Sequence, residues 1–289
     1  MKSNPTSTQV RLGIRAHDIG RFSPDELARR VASNGLDSVQ LALGKAIEGL
    51  EMGPGVIQPA MAGAIGSAFA RHGVRIEVLG CYINPIHPAP ETRRSLIGLF
   101  KEHLRYARSF GCNLVALESG SLNADYSPHP ENRGETAFLD LLEVMQELVE
   151  DAEQHGVVVG IEAVSSHVIG TPERMRRLLD YIPSPHLQVV FDAVNLLSAE
   201  NHESQRDIMQ RSFEMFGDRI AVAHAKDFRV VDGNLRVCPP GSGQLDYALL
   251  LGLLSECESV PALILEETHP DHLAASADFI RSMNPWIIS

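Results

Sequence analysis

Eight short apolar runs recur along the chain, with amphipathic helical patterns between them. Their first residues lie 27 to 44 residues apart. Apolar strands that alternate with helices are typical of a parallel sheet covered by helices. A βα unit of an eight-stranded barrel takes about 30 residues, so the spacing predicts an α/β fold, a single-domain (β/α)8 TIM barrel spanning residues 1–289. The predicted strands are Val10–Arg15, Asp37–Leu43, Val74–Gly80, Asn113–Glu118, Val157–Ala163, Leu187–Asp192, Ile220–His224 and Ala262–Glu266.

The helix signals between these runs agree with a barrel. Ser23 and Thr171 each precede a proline, an arrangement that predicts an N-cap followed by Pro at the first helical position. The apolar periodicity predicts a long helix over Glu135–His155, and Gly156 then predicts its end. An open doubly wound sheet is the alternative architecture. It rarely needs eight strands, and no glycine-rich phosphate loop follows the first run.

Charge and composition exclude several classes of protein. The formal net charge of −12 opposes binding to nucleic acid, which relies on Lys and Arg to neutralise phosphates. The first residues contain no apolar signal segment, and no run approaches the 18 apolar residues that a membrane span needs. The four cysteines form no CxxC pair, which disfavours a zinc knuckle or a disulfide framework. We therefore expect a cytoplasmic protein without nucleic-acid or membrane partners.

Four of the apolar runs in the second half of the chain end in a residue that can bind a metal. These residues are Glu162, Asp192, His224 and Glu266, one on each of strands five to eight. The carboxyl ends of consecutive barrel strands are neighbours on the face where such barrels carry their chemistry. Three carboxylates and one imidazole suit one divalent ion such as Mn²⁺, Mg²⁺, Co²⁺ or Zn²⁺. The pattern predicts a metal-dependent active site.

The short motifs around these residues resemble the xylose isomerase-like TIM barrel family, which includes sugar phosphate isomerases and epimerases, ketose 3-epimerases and inosose isomerases and dehydratases. The motifs are GIEAV with Glu162, FDAVN with Asp192, AHAKD with His224, LILEE with Glu266, and the loop PGSGQLDY that starts at Pro240. The resemblance covers nearly the whole chain. It implies a small carbohydrate substrate, and it leaves a homodimer open.

The resemblance also implies roles for these residues. Glu162 and Glu266 would bind the metal and also act as the catalytic pair on opposite sides of the substrate carbon. A metal-stabilised enediolate would form when one glutamate takes the proton next to the carbonyl. Return of the proton to the opposite face gives an epimer, and return to the adjacent carbon gives an isomer. Alternation along the strand lets only one of Glu266 and Glu267 point into the site, and the resemblance favours Glu266.

Further polar residues near the strand ends are candidates for binding the substrate. For Lys226 the alternative is a surface ion pair with Asp227, and for each of the others it is a local structural role. Tyr82, Asn84 and Glu118, after strands three and four, are additional candidates for lining the pocket. The predicted substrate-binding residues are His167, Asn195, Lys226, His17 and His87.

Departures from the family pattern limit the assignment of the substrate. Ketose 3-epimerases usually carry a histidine where this chain has Asn195, and many relatives carry Glu where it has Gln40. These differences imply a substrate other than a free ketohexose. An inosose-type dehydratase would use the same site. A zinc nuclease resembling the abasic-site endonucleases is disfavoured by Asn195 and by the negative charge.

Overall fold

The computed structural model describes residues 10–257 and 262–283, and within them eight parallel strands close into a barrel. Going around the barrel, the strand order is β1-β10-β7-β6-β5-β4-β3-β2, which follows the chain except for the hairpin β8-β9. The barrel strands are β1 (Leu12–Arg15), β2 (Ser38–Leu41), β3 (Arg75–Gly80), β4 (Leu114–Glu118), β5 (Val158–Glu162), β6 (Leu187–Phe191), β7 (Ile220–Ala225) and β10 (Ala262–Leu265).

Helices follow the strands and form the outer layer. The longer ones are α2 (Pro24–Ser33), α4 (Pro59–Arg71), α5 (Pro90–Tyr106), α6 (Glu135–His155), α7 (Pro172–Tyr181), α8 (Gln205–Phe216), α9 (Tyr247–Ser255) and α10 (Pro270–Met283). Two single-turn helices, α1 (Ala16–Ile19) and α3 (Leu43–Ala46), lie directly after β1 and β2. Within the described ranges, no helix is both long and apolar enough to cross a membrane.

The predicted barrel is confirmed, and each predicted strand overlaps an observed one with ends that differ by at most two residues. The N-cap signals are also confirmed, since Ser23 Oγ accepts from the N–H of Glu26 and Thr171 Oγ1 from that of Arg174. The predicted helix ends at Gly156, which has a left-handed φ of 62° that glycine adopts without strain. The start of the chain, for which no signal segment was predicted, lies outside the described residues.

The sequence interpretation missed a β-hairpin after β7. Its strands, β8 (Asp227–Val231) and β9 (Asn234–Cys238), pair antiparallel in a two-stranded sheet of their own. The turn consists of Asp232 and Gly233, with φ of 51° and 73°. An Asp-Gly pair between apolar segments is the expected signal for such a turn, so the hairpin was predictable from local sequence.

Side chains fill the interior of the barrel below the carboxyl ends of the strands. The residues two positions before Asp192, His224 and Glu266 belong to one small buried cluster, and side chains two apart on a strand share a face. At Gly160 an added Cβ would lie 3.0 Å from Val190 Cγ2, so this layer has little free space. The interior is therefore closed below the site. The cluster consists of Val78, Leu114, Ala116, Val190, Val222 and Ile264.

Candidate metal centre

Glu162, Asp192, His224 and Glu266 converge at one point on the carboxyl rim of the barrel. One potential ligand atom from each residue lies within 4.8 Å of all the others, and all four residues are buried. The distance from His224 Nδ1 is 3.3 Å to Glu162 Oε1, 3.7 Å to Asp192 Oδ2 and 2.9 Å to Glu266 Oε2. The imidazole thus lies among three carboxylates, as the spacing of the strand ends predicted.

The protein fixes each carboxylate through hydrogen bonds. Asp192 Oδ1 accepts from the backbone N–H groups of Val194 and Asn195, which directs Oδ2 towards the centre. Arg15 Nη1 donates to Glu266 Oε1 at 2.6 Å, which leaves Oε2 near His224. The carboxylates are thereby oriented before any ligand arrives, as a binding site for a cation requires.

Three central atoms are buried and make no well-aligned hydrogen bond: Asp192 Oδ2, His224 Nδ1 and Glu266 Oε2. Their nearest polar neighbours are members of the same group, with Lys226 Nζ 2.8 Å from Asp192 Oδ2 and His224 Nδ1 2.9 Å from Glu266 Oε2. Such atoms are rare in proteins and call for an explanation such as an ion. Burial lowers the pKa of His224, but Glu162 and Glu266 outweigh it and raise that pKa well above its usual value. A place that favours a proton so strongly also favours a metal cation. The donor set and its buried atoms without well-aligned hydrogen bonds therefore fit a divalent metal ion.

A chain of polar side chains behind the cluster links two of its members. Gln40 Oε1 lies 2.9 Å from His224 Nε2, and Gln40 Nε2 donates to the Tyr82 hydroxyl at 2.7 Å. Tyr82 in turn donates to Glu162 Oε2 at 3.5 Å. The Gln40 oxygen holds a proton on Nε2 and leaves Nδ1 free to act as a ligand. Gln40 suits this place because its amide both accepts and donates.

Replacing Gln40 by Leu is expected to weaken Mn²⁺ binding about 10- to 100-fold, because the His224 ring loses the acceptor that fixes its tautomer. Isothermal titration calorimetry on the metal-free protein measures the affinity. Gln40→Glu is the matched variant, since its carboxylate still accepts from Nε2, and it is expected to retain more affinity than Gln40→Leu. Equal affinity in Gln40→Leu and the native protein would show that this contact does not support the site.

Arg15 was not predicted, although it ends the first apolar run in a position equivalent to those of the candidate metal ligands. Its guanidinium bonds Glu266, Asp18 and Glu267, and these carboxylates raise its pKa although burial lowers it. The structure brings Glu266 into the cluster. Glu267 has a left-handed φ of 54°, so the strand alternation ends there and its carboxylate reaches the same arginine. Glu267 remains partly exposed at the rim.

Lys226 and Asn195 lie inside the cluster rather than beside it. Lys226 Nζ is buried, 2.8 Å from Asp192 Oδ2 and 2.7 Å from Asn195 Oδ1. Asn195 Nδ2 donates to Glu162 Oε1 at 2.7 Å. The alternative of a surface ion pair between Lys226 and Asp227 is wrong. In this arrangement Asn195 orients the Glu162 carboxylate, and the Lys226 ammonium offsets part of the charge of Asp192.

A cavity of about 230 Å³ opens next to Glu162 and Glu266. Of the five predicted substrate-binding residues, His17 lines this cavity, and so do the further candidates Tyr82 and Glu118. Burial, together with the charges of Arg15 and Lys45, lowers the pKa of His17 to about 4. The imidazole is therefore neutral at pH 7. We call this cavity the cleft; its lining residues are Arg15, His17, Gln40, Lys45, Tyr82, Glu118, Tyr126, Glu162 and Glu266.

Two other candidates have local roles. His87 is outside the cleft lining, and its Nδ1 accepts from the N–H of Ala89 just before α5, so the structure gives no support for substrate binding by His87. The Asn84 amide donates to the carbonyls of Ser121 and Asn123 and thus braces the loop after β4. His167, in contrast, lies next to the cleft, with Nδ1 3.5 Å from Glu118 Oε2.

The carboxylate of Asp227 organises the loop that carries the PGSGQLDY motif. Its Oδ1 accepts from the N–H groups of Phe228 and Leu245, and its Oδ2 from those of Gly241 and Gly243. An added Cβ at Gly243 would lie 2.3 Å from Oδ1, so a glycine is required there. The motif after β7 therefore builds a loop, while His224 and Lys226 serve the cluster.

Comparison with known proteins agrees with this architecture. A sequence model of the xylose isomerase-like TIM barrel family matches residues 28–283. The curated proteins include no match to the chain.

Solved structures share the fold at low identity. D-psicose 3-epimerase with D-tagatose from Clostridium cellulolyticum H10 aligns with a TM-score of 0.72 and 14% identity, over 95% of this chain and 99% of the other. A xylose isomerase-like TIM barrel protein from Mycobacterium smegmatis in complex with magnesium gives 0.69 and 16%, over 98% and 97%. A xylose isomerase-like TIM barrel/4-hydroxyphenylpyruvate dioxygenase fusion protein gives 0.70 and 18%, over 95% of this chain and only 42% of its own length. Because the family model matches residues 28–283, most of the chain, the chain belongs to the xylose isomerase-like TIM barrel family.

Proposed function

We propose that the protein is a divalent-metal-dependent isomerase or epimerase that acts on a small carbohydrate by transferring the proton next to its carbonyl group. The observation that carries this proposal is the convergence of four buried ligand atoms, three of them without a well-aligned hydrogen bond, beside an open cleft. The epimerase and the magnesium-bound protein among the structural relatives support the same class of chemistry.

Glu162, Asp192, His224 and Glu266 are the residues that would hold the cation. A bound divalent cation polarises the substrate carbonyl and lowers the cost of the negative charge that develops on deprotonation. Lys226 supports this function, because its ammonium offsets part of the charge of Asp192 and Glu266. Three carboxylates can therefore be buried together at this rim.

Glu162 and Glu266 are the proposed proton-transfer groups, because both line the cleft. Their carboxylates approach it from β5 and from the end of β10, on two sides of the imidazole of His224. A proton taken by one and returned by the other reaches the opposite face of the carbon and gives an epimer. A proton taken and returned by the same carboxylate can reach the adjacent carbon and give an isomer.

The test is deuterium incorporation into candidate substrates. The Mn²⁺-loaded protein would be incubated in D₂O with ketoses, aldoses, inososes and their phosphates, and exchange next to the carbonyl followed by NMR. We expect exchange in at least one class, accompanied by an epimer or isomer. A product that has lost one water molecule relative to the substrate would indicate the dehydratase alternative. Absence of exchange across the panel would contradict the proposed function.

A further inference from the structure

A second polar cluster adjoins the metal-binding residues in the cleft. It consists of Glu118 at the end of β4, Tyr126 in the loop that follows, and His167 in the loop after β5. Glu118 and Tyr126 line the cleft, and Glu118 Oε2 lies 3.5 Å from His167 Nδ1. The rings of Tyr126 and His167 pack together with centroids 5.4 Å apart. His167 and Glu118 were each predicted separately as pocket residues, but the metal-binding residues and their supporting contacts use neither of them, nor Tyr126.

Two polar atoms of the cluster are buried and lack a hydrogen-bond partner, His167 Nδ1 and the Tyr126 hydroxyl. The His167 side chain is only 6% exposed. Burial of such groups without partners is costly unless a ligand satisfies them. Tyr126 also has a left-handed φ of 65°, a conformation that costs a non-glycine residue about 1 kcal/mol or more and is concentrated at functional sites.

The backbone holds the cluster in place. Val168 donates its N–H to the carbonyl of Gly120, and Ile169 donates to Ser119 Oγ, so the loop after β5 is tied to the loop after β4. Glu118 pairs in register with Glu162 on the neighbouring strand, and the two side chains share a face. The carboxyl group of Glu118 is therefore presented next to the proposed reaction centre, on a rigid support.

The chemistry of the cluster suits hydroxyl groups. Burial lowers the pKa of His167 to about 4, so its imidazole is neutral at pH 7 and forms no ion pair with Glu118. A neutral imidazole and a phenol can each donate and accept. Burial and the neighbouring Glu162 raise the pKa of Glu118 to about 7, and its carboxyl group accepts when ionised and also donates when protonated, so the cluster matches the donors and acceptors of adjacent hydroxyls in either state. A phosphate is disfavoured beside Glu118, because the nearest cleft guanidinium, that of Arg15, already binds three carboxylates. Lys45 is exposed at the rim and offers a single charge.

We propose that Glu118, Tyr126 and His167 form a subsite that binds the hydroxyl groups on the non-reacting end of an uncharged polyhydroxylated substrate. Glu118 and Tyr126 touch the substrate. His167 is a positioning residue, because its ring packs against that of Tyr126 and lies beside the Glu118 carboxyl group. This inference rests on the proposed function and narrows its substrate class to unphosphorylated sugars or keto-polyols.

Polyol binding tests the subsite without turnover. Calorimetry on the Mn²⁺-loaded protein would measure the affinity for xylitol, sorbitol and myo-inositol. At least one is expected to bind, with an affinity about 10-fold weaker in Glu118→Gln, a loss that corresponds to about one hydrogen bond. Mn²⁺ affinity is expected to be unchanged. Glu147→Gln on α6, half-exposed and paired with Lys101, is the matched control and is expected to behave like the native protein.

The exchange assay supplies the second measurement. In Glu118→Gln and in His167→Phe, the KM for an unphosphorylated substrate is expected to rise about 10-fold, with a smaller change in kcat. In Glu118→Gln, the preference of the enzyme for the unphosphorylated substrate over the phosphorylated one is also expected to fall. The subsite is overturned if no polyol binds, if Glu118→Gln leaves polyol affinity unchanged, or if the native protein prefers phosphates. Exchange without polyol binding would spare the proposed function and reject only the subsite. Polyol binding that depends on Glu118, in a protein that catalyses no exchange, would support the subsite and contradict the proposed function.

Discussion

Replacing either Glu162 or Glu266 by Gln is expected to lower proton exchange next to the substrate carbonyl about 10³-fold at saturating Mn²⁺. General acid–base catalysis contributes a factor of this order, and an amide can neither take nor return the proton. Both carboxylates line the cleft and lie close to His224. Exchange rates would be measured by NMR with the best substrate of the panel.

Glu267→Gln is the control for this experiment. Glu267 is 40% exposed and binds Arg15 at the rim rather than joining the cluster. The Glu267→Gln substitution should lower the exchange rate by less than about 10-fold, well below the loss expected for a proton-transfer group. Full activity in both Glu162→Gln and Glu266→Gln would end the proposed mechanism. Loss of activity in Glu267→Gln alone would transfer the role from Glu266 to its neighbour.

Asp227→Asn is expected to lower the free energy of unfolding by about 3 kcal/mol, since hydrogen bonds to charged groups are worth about 1.5 to 3 kcal/mol each. The carboxylate accepts four backbone N–H groups, two on each oxygen. The amide nitrogen would replace one of those oxygens and face two donors. Urea denaturation measures the change.

Asp278→Asn on α10 is the matched control, because the Asp278 side chain is 80% exposed. Exposed substitutions of this kind usually change stability by less than about 0.5 kcal/mol. If Asp227→Asn were as stable as Asp278→Asn, the network around Asp227 would not hold the loop after β9. The Mn²⁺ affinity of both variants should be close to native, since neither residue belongs to the cluster.

The fold could be predicted from sequence because its signals are local and repeated. The strands are mostly apolar runs, and several helices carry a side-chain N-cap or a glycine ending. The same repetition located the candidate ligands: Glu162, Asp192, His224 and Glu266 end their runs in equivalent positions. Consecutive strands of a barrel are neighbours, so residues about 30 to 40 apart in the chain were expected to meet.

The contacts that support the cluster could not be predicted in the same way. Gln40 meets His224 across 184 residues and Arg15 meets Glu266 across 251, because the barrel closes β1 against β10. The periodicity of the sequence does not indicate which side chains on such distant strands will contact each other. The position of Glu267 depends on one left-handed residue, which a strict alternation cannot anticipate. The roles of Lys226 and Asn195 likewise follow from side-chain geometry alone.

The most direct test of the central claim is the number of metal ions that the cluster binds. Metal-free protein would be titrated with Mn²⁺ by calorimetry, beside Asp192→Asn and His224→Ala. We predict one ion per chain in the native protein and a loss of affinity of more than about 100-fold in each variant, since each removes a direct ligand. No bound ion would contradict a metal-dependent enzyme, and three ions per chain in a parallel titration with Zn²⁺ would point to the nuclease chemistry instead.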